Sequence, residues 1–329
     1  MYQLGDLNLM LAAFDKYYCK IGLDPAIDPV YPDTGSAAVG GYNATDCGSY
    51  QPPLVISISD SFNEAWYPKQ YLERQCLEYL KLGLQGVTVV VATGDRGPAD
   101  QLNMCIDPET GAANVSEGHF SSTFPASCPW VTAVGGTQLL PTNQTWVQGS
   151  KSFPPETALN LFVGNSTSIV SSSGGFSNIF SAPFYQSAET EAYLTRSEYQ
   201  PHLTNLSSSG YFNPCGRGYP DISALAAGYL VFVNGSLHIV QGTSAPTPVF
   251  ASMIAKINDA RLLVGKGSVG FLNPVLYAYQ QELMRDVETG SNTGCGMAKA
   301  FPAVKGWDAV TGLGSPKFEK LLDLYLGLP

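Results

Sequence analysis

The sequence predicts an α/β fold, a mostly parallel sheet with helices on both faces, and two observations predict it. Leu54–Ser59 and Val87–Ala92 are continuous apolar runs that bracket a helical segment from about Pro68 to Leu82, the βαβ order of two neighbouring parallel strands. Strands apolar along their whole length leave no face for water. The chain has 329 residues, 44% of them hydrophobic, enough to bury a sizeable core and to exclude disorder as its main state.

The elements follow in order. Leu7, Met10, Leu11 and Phe14 recur at helical spacing and predict an amphipathic helix that needs a cover. Its start is too abrupt for a natural domain edge. A Pro, Gly and Tyr-rich loop spans 20–52, and Gly83 and Gly86 are expected to stop the helix of the βαβ unit. A further strand is expected at Val131–Val134. Leu230–Val233 and Ser236–Val240 flank Asn234-Gly235, the signal of a tight hairpin. After it a helix carries Phe250, Met253, Ile254 and Ile257 on one face and ends at Gly265, and a short helix follows Pro316. No repeat, linker or low-complexity tract divides the chain, so residues 1–329 read as one domain.

Charge and cysteines bound the setting. Lys plus Arg number 17 against 27 Asp plus Glu, a net charge of −10 that disfavours nucleic acid and anionic membranes. Only 13% of residues are charged, so solubility must rest on uncharged polar groups or sugar. Asn43, Asn114, Asn143, Asn165, Asn205 and Asn234 each open an Asn-X-Ser/Thr sequon in what read as surface loops, which points to the secretory route. The seven cysteines lack Cys-x-x-Cys spacing, so disulfides fit better than zinc, with one thiol left over. Polar and amphipathic sequence follows Met1 at once. A signal peptide and a membrane-spanning helix are both missing, which for a secreted chain implies a processed or truncated piece.

The chemistry gathers at two strand ends. Ser244 stands between a strand and the first turn of a helix, where free N–H groups and the helix field favour a nucleophile; an N-cap is the plainer role. None of His119, His202 and His238 lies in a Gly-rich or strand-end context, so the base of such a serine would be a carboxylate working in acid. Asp95, in Thr93-Gly94-Asp95-Arg96-Gly97, follows the Val87–Ala92 strand at its carboxyl end. A carboxyl kept protonated by apolar surroundings there donates to a developing oxyanion; capping the next turn is the alternative.

Five segments in sequence order carry a resemblance. They are Gly94-Asp95, Phe124-Pro125-Ala126-Ser127 before Val131-Thr132-Ala133-Val134-Gly135-Gly136, Gly174-Gly175-Phe176-Ser177, Gly242-Thr243-Ser244-Ala245 before Pro248, and Gly306-Trp307-Asp308 before Thr311-Gly312-Leu313-Gly314. Together they resemble the sedolisins, the serine-carboxyl peptidases with a subtilisin-like fold, and among them secreted fungal tripeptidyl peptidases. The resemblance runs from about Leu4 to Leu326.

It implies Ser244 as nucleophile, Asp95 as oxyanion-stabilising carboxyl, acyl-enzyme chemistry on peptides at acidic pH, and a secreted monomer. The family's base is a Glu paired with an Asp, on a helix ahead of the equivalent of Leu4, so the sequence looks like the carboxyl-terminal majority of a peptidase domain without its opening strands. The family's calcium site falls on the Asp286 and Asp308 carboxylates and the carbonyls of Val287, Val304 and Gly306, and an oxygen set with two carboxylates suits Ca2+. Asp60 and Ser61 depart from the family's Ser-aromatic-Gly segment, and loss of the Gly restricts close approach of a peptide. Asp60 and Glu64 lie four apart but on the wrong segment for the base pair. Two other readings stand beside this one: a non-catalytic peptide-binding protein or incomplete product, and a His-dependent subtilisin, which the absence of a His-Gly-Thr segment opposes.

Overall fold

A computed structural model describes residues 6–20, 47–99, 102–140, 154–162, 169–195 and 198–329. Its centre is a sheet of β1 (Val55–Ile58), β2 (Thr88–Ala92), β3 (Thr132–Leu139), β4 (Glu156–Ala158) and β5 (Ile222–Leu225). β1, β2, β3 and β5 run parallel in that spatial order, and β4 pairs antiparallel with the far end of β3, beyond its contact with β2. The β3 strand is twice the predicted length. Its extension carries Gly135 and Gly136, whose lack of side chains lets Ser223 and Leu159 pack against the backbone.

Helices cover both faces, as the apolar strands require. Val89 and Val91 of β2 join Ile56, Ile58 and Ala133 in a core closed by Leu72, Tyr79 and Leu82 of α2 (Lys69–Leu84), while Val90, Val134 and Ile222 face Phe250, Ile254 and Ile257 of α3 (Pro246–Leu263). Alternation along one strand thus feeds two cores. The helix before both, α1 (Asp6–Phe14), has its cover: Leu11 and Ala12 pack into the α2 side, and Gln75 donates to Asn8 Oδ1 at 3.2 Å.

Several expectations shift. Gly83 does not stop α2; it lies inside the helix where a Cβ would press on Phe271 at 3.3 Å, and the turn is made by Gly86 at φ +83°. Asn205 is no loop residue, since it sits exposed on the helix Gln200–Ser208; Asn114 is an exposed strand residue, and Asn234 occupies the hairpin turn as expected. Asn43, Asn143 and Asn165, and most of the 20–52 loop, lie outside the described residues. The hairpin runs Tyr229–Val233 and Ser236–Val240, with Asn234 and Gly235 both at positive φ as its tight turn demands. The last helix is Phe318–Gly327.

Cys76 bonds Cys128 and Cys105 bonds Cys295, Cys47 is also disulfide-bonded, and Cys215 is an exposed free thiol.

Candidate active site

The carboxyl ends of β1 and β2 and the amino end of α3 meet at one place. The hairpin returns to the body where Gly242 N–H donates to the Ala226 carbonyl at 2.8 Å, and Thr243 and Ser244 follow before α3 begins. Ser244 is exposed, as a nucleophile must be. It exchanges two hydrogen bonds with the end of β1: Ser59 Oγ donates to the Ser244 carbonyl at 3.0 Å, and Ser244 Oγ donates to the Ser59 carbonyl at 3.4 Å. No side-chain carboxylate or imidazole among the described residues bonds Ser244 Oγ. His119 packs on the Tyr211 ring, His202 shares a hydrogen with the Ala300 carbonyl, and His238 lies exposed on the hairpin.

Asp95 sits directly beside the 242–244 segment. Its Oδ1 accepts the Thr243 N–H at 2.7 Å and lies 3.1 Å from the Thr243 hydroxyl, which also bridges the Gly94 N–H (3.0 Å) and carbonyl (3.1 Å). Gly242 closes over the carboxyl: a Cβ there would stand 2.5 Å from Asp95 Oδ2, at a φ of +123°. Burial drives the Asp95 carboxyl above its ordinary value, against the opposing pull of the Thr243 N–H and hydroxyl. From the other side Ser171 N–H donates to the Asp95 carbonyl at 3.0 Å and Ser173 N–H to the Gly94 carbonyl at 2.9 Å. The Asp95 turn is therefore gripped between the 242–244 segment and the 171–173 segment.

The two other carboxylates singled out in the sequence part company. Asp60 is exposed on the wall beyond Ser59, with Oδ1 accepting its neighbour Ser61 N–H at 2.9 Å. Glu64 is buried and bonds Ser177 and Asn178. They form no pair.

The chain is similar over nearly its whole length to known proteins. A tripeptidyl-peptidase, SED1, of Arthroderma otae is 48% identical over 334 residues, covering 100% of this chain and 49% of its own length. Aorsin of Aspergillus oryzae is 40% identical over 343 residues, covering 99% and 49%. Pseudomonas sedolisin, a serine-carboxyl proteinase solved with two molecules of pseudo-iodotyrostatin, superposes with a TM-score of 0.62 at 27% identity, over 82% of this chain and 64% of that one. The chain belongs to the sedolisin family. No family model matches it, and it spans about half the length of the curated relatives it matches. As in sedolisin, the sheet is subtilisin-like.

The sedolisin resemblance also points to the far end of the molecule. Asp286 and Val287 follow the short pairing of Met284–Arg285 with Ser315–Pro316, which brings them against the 304–311 loop. Asp286 Oδ2 accepts the Gly306 N–H at 2.5 Å. Asp308 is fully buried: Oδ1 accepts the N–H groups of Val310 (3.0 Å) and Thr311 (2.7 Å), and Oδ2 that of Val304 (3.1 Å). The Thr311 hydroxyl lies within reach of both Asp308 oxygens and of the Val287 carbonyl, but its single proton serves one of them. When it serves Oδ1 or Val287, Oδ2 keeps a lone pair. Burial pushes the Asp308 carboxyl up to about 7. These bonds gather the two carboxylates, the Val287 carbonyl and the 304–306 segment in one loop cluster, and carboxylates with backbone carbonyls are a donor chemistry that suits calcium. No group of three or more His, Cys, Asp or Glu side chains is placed to hold a metal among the described residues.

Sequence reasoning singled out Ser244 and Asp95, whose segments the fold brings together, but not Thr243, Gly242 and Ser59 as their partners. The Gly-Thr-Ser run was the available signal for the first two. Ser59 lies 185 residues from Ser244, and no local pattern reports that contact.

Proposed function

We propose that this chain is the Ser244- and Asp95-bearing part of a serine-carboxyl peptidase that cleaves peptides in acid through an acyl-enzyme on Ser244. One observation carries the reading: an exposed serine at a helix start, with a half-buried carboxyl held beside it through the adjoining Thr243. In this reading Ser244 Oγ attacks the scissile carbonyl and passes its proton to a carboxylate base. Asp95, protonated, donates to the oxyanion, and Thr243 fixes its direction. That base is not beside Ser244 among the described residues. The substrate class follows the relatives' names, tripeptidyl-peptidases among them. The chain works as a single domain and a monomer.

The protein is a secreted glycoprotein in this proposal. The exposed sequons Asn114, Asn205 and Asn234 and the two crosslinks support it, because disulfides persist in oxidising compartments. No helix among the described residues is long and apolar enough to cross a membrane. Asp286, Asp308 and the carbonyls of Val287, Val304 and Gly306 would hold calcium, which supplies charge neutralisation to a buried carboxylate and so supports the fold rather than the chemistry.

The test is acid hydrolysis of a peptide by the full-length protein, together with covalent labelling by a small phosphonyl fluoride. Ser244→Ala is expected to abolish both. Full hydrolysis by that variant would overturn the assignment.

A further inference from the structure

Glu64 is 2% exposed, and neither the proposed chemistry nor the metal loop uses it. Its Oε1 accepts the Ser177 hydroxyl at 2.6 Å and its Oε2 the Asn178 N–H at 3.0 Å, while its own N–H donates to the Ser122 carbonyl at 3.0 Å. The Ser177 oxygen already accepts the N–H groups of Ile179 (3.1 Å) and Phe180 (2.9 Å). Both its lone pairs are spent, so its proton is committed to Glu64. The carboxyl therefore faces two donors that cannot turn away, with the Ser127 and Ser122 hydroxyls also close to it.

Five residues earlier stands Ser59, joined to Ser244 by the two hydrogen bonds described above. Between the two, Phe62 and Asn63 pair antiparallel with Phe124 and Thr123, and Thr123 Oγ1 donates to the Thr93 carbonyl at 2.8 Å, one residue before Gly94. Ser59 and Asp60 are exposed while Ser61, Phe62 and Asn63 are buried, so the exposed part of this stretch is held by its neighbours rather than by burial of its own side chains. Its position depends on where its ends are tied. One end is at Ser244; the other runs through the buried Ser61, Phe62 and Asn63 to Glu64, whose partners Ser177 and Asn178 lie in the strand Gly175–Ser181.

We propose that Glu64 is a positioning residue that anchors the Ser59–Ser61 wall to the Gly175–Ser181 strand and so sets the seat of a peptide chain beside Ser244. The seat rests on the peptidase reading; the anchoring does not. Glu64→Gln keeps the shape but turns an NH2 group on one of the two fixed donors, the loss of a buried hydrogen bond and about a tenfold effect. In the full-length protein it is expected to raise KM for a peptide about tenfold, with kcat and the rate of Ser244 labelling by a small phosphonyl fluoride within about twofold. Amide hydrogen exchange at 57–61 is expected to quicken about tenfold, with 131–137 unchanged. Ser177→Ala, which removes one donor, is expected to act in the same direction should the first variant fail to fold.

Unchanged exchange at 57–61, or equal quickening across the sheet, would overturn the anchoring, because a merely structural residue loosens everything together. A fall in labelling that parallels the fall in peptide turnover would overturn the seat, since the effect would then lie in the nucleophile. A wild type that neither labels nor cleaves overturns the peptidase reading and with it the seat, while the exchange arm still decides the anchoring.

Discussion

At the scale of single residues, the site is set by what surrounds one carboxyl. Gly242 stands where a methyl group would meet Asp95 Oδ2 at 2.5 Å, and its φ of +123° is closed to most side chains. Gly242→Ala is therefore expected to displace either the carboxyl or the Ser244 segment and to lower peptide turnover by about 10²-fold or more, read as kcat/KM in acid. Asp95→Asn keeps an oxygen for the Thr243 N–H but cannot offer the acid proton, so kcat should fall by about 10²-fold with KM little changed. The same variant reports on titration. Burial holds the Asp95 carboxyl above its ordinary value, so the folded chain binds that proton more tightly than the unfolded chain does. Its contribution to stability is complete below the ordinary carboxylate value and is lost as pH rises through the folded one. Asp95→Asn should accordingly gain on the wild type in thermal midpoint as pH is raised from about 4 toward neutral. A difference independent of pH would mean that folding leaves the Asp95 carboxyl at its ordinary value.

At the scale of elements, the informative case is α1. Its apolar positions demanded a cover, and α2 provides it: Leu11 is 1% exposed in the core shared with Leu72 and Tyr79, and Lys81 of α2 reaches Asp15 at 3.1 Å. That ion pair is half-exposed and contributes little. The packing is what fixes the helix, so Leu11→Ala is expected to cost about 2–5 kcal/mol by urea unfolding, whereas Asp15→Asn should cost under about 1 kcal/mol. The hairpin illustrates the opposite regime. Asn234 and Gly235 specify its turn locally, and its strands stay exposed, so its existence owes nothing to the core.

At the scale of the whole molecule, long-range ties join what the sequence separates. Cys105 and Cys295 are 190 residues apart, and their bond restrains a loop of that size in the unfolded chain. Replacing both by Ala is expected to cost about 3–5 kcal/mol in chemical denaturation. The proposed metal loop would be a second such tie, because Asp308 buries a carboxyl that a cation would neutralise. Calcium should raise the thermal midpoint and chelator lower it, by about 2.7 kcal/mol of stabilisation at a hundredfold excess over Kd. Asp308→Ala should erase the difference, and magnesium should substitute poorly in a site of fixed carbonyls. Indifference to calcium in a folded, metal-free sample would leave the loop to its own amide hydrogen bonds.

The sequence by itself determined the parts whose signal is local. Unbroken apolar strands, a helix with one apolar face after Ser244, Asn-Gly at a turn, and Gly-Asp at a strand end each report their own conformation within a few residues, so the sheet, α3, the hairpin and the places of Ser244 and Asp95 were legible. Tertiary structure alone decided the rest, because those features depend on residues far apart in the chain. Gly83 was free to stay helical since Phe271 fills the space beside it, and Asn205 took a helix that packs Leu203 and Leu206 inward. The pairing of cysteines, the cover of α1, the grip of Thr243 on Asp95 across 148 positions and the tie of Glu64 to Ser177 across 113 are matters of approach in space. A buried hydrogen bond or a packed side chain has no periodicity to read. It exists only once the strands have set the distance between its two ends.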